Sequence, residues 1–223
     1  MKSVVLLSGG LDSSTVLAQS VKFFSASNVT ALSFDYEQRH IRELESAKNI
    51  AQYYNVRHLI LKTSFRAIGG SALTSDINVP TNREVEDMNK EIPVTYVPAR
   101  NTIFLSYALG LAEVIGADIV AFGANHLDYS GYPDCRPEFV YAFNKLSKVM
   151  NKRGVEGNPI TIVAPIIEMT KAQIIKLGLT LHVPYELTWS CYNGGDKPCG
   201  VCDSCKLRIK GFEELGLKDP LMV

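Results

Sequence analysis

Short apolar runs alternate along this chain with stretches whose apolar residues recur every three or four positions. Val4-Val5-Leu6-Leu7 is a run of four, two of them β-branched, and predicts a strand buried on both faces. Similar runs predict strands at residues 29–36, 56–61, 118–125 and 160–165. Between them, Thr15-Val16-Leu17-Ala18-Gln19 continues a first helix. Ile41, Leu44, Ala47 and Ile50 or Ala51 keep helical spacing in a second, expected to begin at residues 37–40. Residues 103–115 predict an apolar helix, capped by Asn101 or Thr102 and ended by Gly116. Pro137 opens another, with Phe139, Phe143, Leu146 and Val149 or Met150 on one face, and residues 169–178 form a last one with Gly178 at its end. Strand and helix in alternation are the pattern of an α/β protein with a parallel sheet and right-handed crossovers. In such sheets ligands lie outside the carboxyl ends of the strands. Residues 63–94 break the pattern: Gly69-Gly70-Ser71, Thr74-Ser75-Asp76 and Pro80-Thr81-Asn82 are loop signals, and the charges of 84–91 read as a solvated face. A segment of this length without regular structure is expected to be a lid or cover.

The first strand leads into Ser8-Gly9-Gly10-Leu11-Asp12-Ser13-Ser14. Two glycines permit a tight turn at positive φ, expected at Gly10, and a close approach of backbone to a ligand. Asp12, Ser13 and Ser14 favour a helix start. Unpaired N–H groups and the positive end of a helix dipole therefore point at one place, which makes an anion site. The loop has no lysine for a Walker A motif and lacks the G-x-G-x-x-G spacing of a dinucleotide fold. Phe34, Asp35 and Tyr36 end the neighbouring strand and are candidates for the base and ribose of a nucleotide. Arg100 and Asn101 precede a helix start, where a fixed guanidinium suits phosphate or carboxylate. Lys171 falls in the first turn of a helix, where the dipole disfavours a cation unless an anion lies nearby. At the end of the 118–125 strand, His126, Asp128, Tyr129, Tyr132 and Asp134 crowd together as a candidate substrate segment.

Whole-chain numbers narrow the partners. At 223 residues, 46% hydrophobic and 21% charged, the chain can bury a sizeable core. Lys plus Arg and Asp plus Glu stand at 23 each, so no global basic field exists to hold nucleic acid, and small-molecule substrates are expected. No apolar stretch reaches the ~20 residues of a membrane span, and a cytoplasmic location is expected. Four of the five cysteines, Cys191, Cys199, Cys202 and Cys205, stand as C-x7-C-x2-C-x2-C. Four thiolates suit a tetrahedral structural Zn²⁺, with a single iron–sulfur cluster as the competitor; disulfides fit a cytosolic setting poorly.

The Ser8-Gly9-Gly10-Leu11-Asp12-Ser13 loop resembles that of the ATP pyrophosphatase (PP-loop) families. Together with Gly131-Tyr132-Pro133-Asp134-Cys135-Arg136, Phe34-Asp35-Tyr36-x-Gln38-Arg39-His40, Val97-Pro98-x-Arg100-Asn101 and the four cysteines, it is similar to the 7-cyano-7-deazaguanine synthase family. Glu37 departs from that pattern, which commonly has Gly there. The resemblance implies a PP-loop α/β sandwich, divided as an ATP-binding domain 1–168 and a helical zinc-binding region 169–223, or the two as one compact unit. It implies ATP-dependent conversion of 7-carboxy-7-deazaguanine and ammonia to the 7-nitrile, in a homodimer using Mg²⁺ and Zn²⁺. A tRNA-thiolating or other adenylating PP-loop enzyme is the alternative. Site roles follow: Leu7, Ser8, Gly9, Gly10, Leu11, Asp12, Ser13, Ser14 and Phe34 for ATP, with Asp12 a Mg²⁺ partner. Arg100, Lys171 and Asp12 are the catalytic candidates, and Asp128, Tyr129, Tyr132 and Asp134 the substrate candidates.

Overall fold

A computed structural model describes residues 1–38, 41–83, 88, 91–127 and 131–222. Its five strands, β1 (Ser3–Leu6), β2 (Val29–Asp35), β3 (Arg57–Lys62), β4 (Ile119–Ala121) and β5 (Thr161–Val163), form one parallel sheet in the order β3-β2-β1-β4-β5. The chain winds outward from β1 through β2 to β3, then returns to the other side of β1 for β4 and β5. The crevice between β1 and β4 is thus where connections diverge to opposite faces.

Successive side chains point to opposite faces, and because both faces are covered the central strands β1 and β2 are buried almost throughout. Val5, Leu7, Ala31 and Ala121 face one layer with α1 (Leu11–Phe24), α2 (Arg42–Tyr53), α6 (Lys171–Thr180) and α7 (Asp203–Glu213). Val4, Leu6, Leu32, Val120 and Ile162 face the other, with α3 (Arg100–Ile115) and α4 (Pro137–Ser147). A short α5 (Lys152–Val155) precedes β5. Gly116 ends α3 in the left-handed conformation, φ +67°, as the sequence pattern anticipates.

Several local expectations differ from the structure. The second helix begins at Arg42, because Glu37 sits at φ +60°, a left-handed conformation that a right-handed helix cannot include. Ile41 is left exposed outside it. The strands expected at 118–125 and 160–165 pair for only three residues each. Helix α3 starts at Arg100, directly after Ala99 at φ +56°, so Arg100 and Asn101 lie in its first turn. Helix α6 is capped by Thr170, which accepts from the Gln173 N–H while Gln173 Oε1 accepts from the Thr170 N–H. Gly178 lies inside α6, not at its end; a Cβ there would stand 1.8 Å from the Tyr185 hydroxyl. This glycine makes room for Tyr185, whose hydroxyl shares a hydrogen bond with Thr15 Oγ1 at 2.9 Å.

The described part of 63–99 holds no helix or named strand, yet it is fastened down. Phe65, Ala72 and Val97 are buried, and Thr81 forms an isolated bridge with Cys202. Asn82 N–H donates to Val201 O, Arg83 pairs with Asp203, and Lys206 Nζ donates to Arg83 O. The segment is thus stitched to the cysteine-bearing part of the chain, and none of the described residues of 63–94 lines the cavity described below.

Candidate active site

The carboxyl ends of β1, β2 and β4 open into a cavity of ≈ 220 Å³. Its floor is the 8–13 loop. Gly9 takes φ +86°, and a Cβ on it would lie 2.3 Å from Glu43 O and 2.5 Å from Ala47 N, so the loop is pressed against the first turns of α2. Gly10, by contrast, is the N-cap of α1 at φ −79°, and the expectation of positive φ belongs to Gly9 instead. No side chain caps α1. Its first N–H groups therefore keep their capacity for an anion, supported by the dipole. Ser8 and Ser13 hydroxyls lie 3.0 Å apart, and Gly10 N–H donates to Ser8 Oγ. From the facing strand end, Gly123 closes on the same turn: a Cβ there would meet Ser13 N at 3.0 Å. Glycine at these positions lets three backbone segments meet around one small volume.

Leu7, Ser8, Gly10, Leu11, Asp12, Ser13 and Phe34 line the cavity, whereas Gly9 and Ser14, also expected at the nucleotide, do not. Phe34 stacks on Phe104 with ring centroids 3.9 Å apart, so one of its faces is already covered. Lys171, 7% exposed, is not a free cation at a helix start. Its Nζ donates to both Asp12 oxygens, at 2.8 and 2.9 Å, joining the first turns of α6 and α1. The carboxylate expected to meet Mg²⁺ thus carries a lysine partner, although each oxygen keeps a further lone pair.

The opposite wall is a charged cluster. Arg100 faces Tyr36, Asp134 and Tyr132; burial works against its charge, and these neighbours together raise its pKa above the ordinary value. Tyr36 is pushed to about 12 by burial and by the nearby Glu43, against the pull of Arg100. Glu43 itself, in the first turn of α2, rises to about 7 because burial outweighs its attraction to Arg100. Tyr132 lines the cavity, its hydroxyl 2.7 Å from Thr95 Oγ1.

Asp134 stands differently from the sequence expectation. It does not line the cavity: Oδ2 accepts from the Asn101 N–H at 3.1 Å, and its backbone O accepts from Asn101 Nδ2. The carboxylate caps α3 from a distant segment and backs Arg100. Burial raises its pKa, partly offset by Arg100. Cys135, beside it, is a buried thiol raised to about 12, with none of the character of a nucleophile. Asp128 and Tyr129, and likewise Arg39 and His40, lie outside the described residues.

Sequence reasoning gave no site role to Glu43, Trp189, Ser190, Tyr192 or Arg208, all of which line the cavity. Gln38, part of the family motif, and Asn125, at the end of the 118–125 strand, line it too. Of the five without a role only Trp189, the chain's single tryptophan two residues before Cys191, carried a signal. Its backbone N–H donates to Gly9 O at 2.9 Å, and its indole N–H donates to Cys191 O at 3.0 Å. One residue so ties the 8–13 loop to the cysteine cluster. Arg208 is spent structurally, with Nε and Nη2 on Asp219 and further bonds to Thr188 and Tyr185.

The four cysteine sulfurs lie within 4.8 Å of one another. Backbone N–H groups of Asn193 and Cys199 donate to Cys191 Sγ, and that of Cys202 to Cys199 Sγ. Hydrogen bonds from Cys202 and Cys205 hold Cys191 far below the usual thiol range. Four converging sulfurs with N–H donors behind them are a donor set suited to a thiolate-bound metal.

A family model described as queuosine biosynthesis protein QueC matches residues 2–216. A 7-cyano-7-deazaguanine synthase of Trichodesmium erythraeum is 58% identical over 224 residues, covering 100% of both chains. One of Thermoplasma acidophilum is 56% identical over 220 residues, covering 99% of this chain and 91% of that protein. Among solved structures, an NMN synthetase from Francisella tularensis aligns with a TM-score of 0.50 at 17% identity, over 97% of this chain and 73% of that one. At that identity the last similarity concerns the fold alone.

Proposed function

The chain belongs to the QueC family, and from that premise we propose that it is a carbon–nitrogen ligase converting 7-carboxy-7-deazaguanine, ammonia and ATP to 7-cyano-7-deazaguanine. One observation carries the reading beyond the family match. The uncapped start of α1 opens into the same ≈ 220 Å³ cavity as Arg100, Glu43 and Tyr132. An anion site and a site for a small planar acid share one enclosure.

A carboxylate resists attack by nitrogen until its oxygen is made a leaving group. The loop N–H groups, with Ser8 and Ser13, hold the ATP phosphates so that the substrate carboxylate can reach the α-phosphorus. Arg100 lies across from the loop and stabilises the charge that develops as pyrophosphate departs. Lys171 and Asp12 act as a pair. Asp12 is the residue that would hold Mg²⁺, which when bound neutralises part of the triphosphate charge. Phe34, Leu7 and Leu11 form the apolar wall for the nucleoside. Tyr132 is assigned to the deazapurine, together with Asp128 and Tyr129, which lie outside the described residues. Asp134 acts through Asn101 and Arg100. After ammonia gives the amide, a second activation of the amide oxygen allows elimination to the nitrile.

The cysteine set is assigned to structural Zn²⁺, since four protein thiolates leave no open position for substrate. We place the enzyme in the cytoplasm; no helix among the described residues is long and apolar enough to cross a membrane. A homodimer is supported by apolar side chains left outside on α3 and α4, with Val114 at 84% and Tyr141 at 63% exposure. The 1–168 and 169–223 regions are taken as one working unit, because Ile174, Ile175 and Phe212 share a core with Val16 and Leu17. The tRNA-thiolating alternative has weaker support, given the family match and the equal numbers of acidic and basic residues.

The direct test is incubation with ATP, ammonia and 7-carboxy-7-deazaguanine, with products identified by mass spectrometry. The nitrile together with AMP and pyrophosphate is expected. ADP and phosphate, or no ammonia-dependent product, would overturn the reading.

A further inference from the structure

We propose that Glu43 is the base that receives ammonium in the cavity and takes its proton before nitrogen attacks the activated carboxylate, a role that rests on the synthase reading above. At neutral pH ammonia in water is almost all ammonium, which has no lone pair to attack with. A ligase fed by free ammonia therefore needs a proton acceptor inside its enclosure.

Of the described residues lining the cavity, two bear carboxyl groups, Asp12 and Glu43. Both Asp12 oxygens already accept from Lys171 Nζ. Asp134 is off the wall and accepts from the Asn101 N–H. Glu43 is the carboxyl group turned to the cavity without a lysine across it. Its position is fixed from behind, since the backbone of its own helical turn closes on the φ +86° glycine of the phosphate loop. The charged and titratable groups facing it are Arg100 from α3 and Tyr36 at the end of β2. Arg42, on the same helix, is turned to Asp196 and the Trp189 ring. Burial against Arg100's attraction brings the Glu43 carboxyl to about 7. A base is most effective when its pKa lies near the working pH.

The step balances as follows. Ammonium gives one proton to the Glu43 carboxylate, and its lone pair forms the C–N bond at the acyl carbon. The C–O bond to the adenylate phosphate breaks, its electron pair leaving on AMP. A second proton then passes from the nitrogen to solvent, giving the neutral amide.

The experiment compares Glu43→Gln with the unaltered enzyme in two assays. The first is pyrophosphate exchange into ATP dependent on 7-carboxy-7-deazaguanine, which needs no nitrogen nucleophile. The second is product formation with ammonia or with hydroxylamine, which is neutral at pH 7. Relative to exchange, ammonia-dependent turnover at pH 7 is expected to fall about 100-fold or more. Hydroxylamine should largely abolish the difference, and raising the pH should narrow it for ammonia. Equal losses with both nucleophiles, or loss of exchange itself, would overturn the proposal and assign Glu43 to ATP binding or to the fold. Absence of exchange in the unaltered enzyme would instead overturn the synthase reading, and this role with it.

Discussion

Replacing Gly9 by alanine adds one carbon and tests how the 8–13 loop is held. At φ +86° an L-residue is strained by roughly 1–2 kcal/mol. The new Cβ would also stand 2.3 Å from Glu43 O and 2.5 Å from Ala47 N, both backbone atoms that cannot swing aside. Overpacking of this kind costs about 1–3 kcal/mol. Together the two terms predict about 2–5 kcal/mol of lost stability, or a melting temperature lower by roughly 4–20 °C at about 2–4 °C per kcal/mol for a chain of this size. Gly10→Ala is the internal control. With φ −79° and nearest neighbours at 3.3 and 3.5 Å, its Cβ fits the fold, so its melting temperature should hold within about 2 °C. It narrows the approach to the loop, however, and should weaken ATP binding. Thermal melts and ATP titrations on both variants separate the effects. If Gly9→Ala melts like the parent, or if Gly10→Ala is the more destabilised, the account of the loop is wrong.

Four further outcomes are expected. Gly178→Ala should destabilise by about 2–4 kcal/mol by displacing the Tyr185 hydroxyl, and adding Tyr185→Phe should recover part of the loss in denaturant melts. Cys202→Ser should lose its bound metal by elemental analysis and expose the bridged 81–83 segment to protease; full metal content would count against the four-sulfur site. Chelation should shift the emission of Trp189, the sole tryptophan, and an unchanged spectrum would deny its link to the cluster. Glu43 makes stability fall as pH rises from about 4.5 to about 7, because its folded-state pKa is raised and the unfolded chain ionises first. Glu43→Gln should therefore match the parent at pH 4 and exceed it above pH 7 by about 1–3 kcal/mol, a gap that paired melts across this range would reveal.

The sheet was legible because each strand is built on a short apolar stretch, such as Val4-Val5-Leu6-Leu7 or Leu59-Ile60-Leu61, and the loop because glycines and hydroxyls stand at a strand-to-helix junction. The cysteine set was legible by spacing. Other features depend on contacts between residues far apart in the chain, which no local pattern encodes. Asp134 read as a substrate acceptor, yet its partner is the Asn101 N–H, 33 residues earlier. Lys171 read as awaiting a phosphate, whereas Asp12 supplies the anion. Gly178 looked like a helix end because glycine commonly is one; only the position of Tyr185 explains it inside α6. Glu43 carried no signal, since a glutamate in the first turn of a helix is ordinary until the cavity beside it is known.

The bond from the Trp189 N–H to Gly9 O joins two residues far apart in the chain, and the indole of the same tryptophan holds Cys191 O. Local opening of the cysteine segment is thereby felt at the 8–13 loop, so the two segments loosen or tighten together rather than separately.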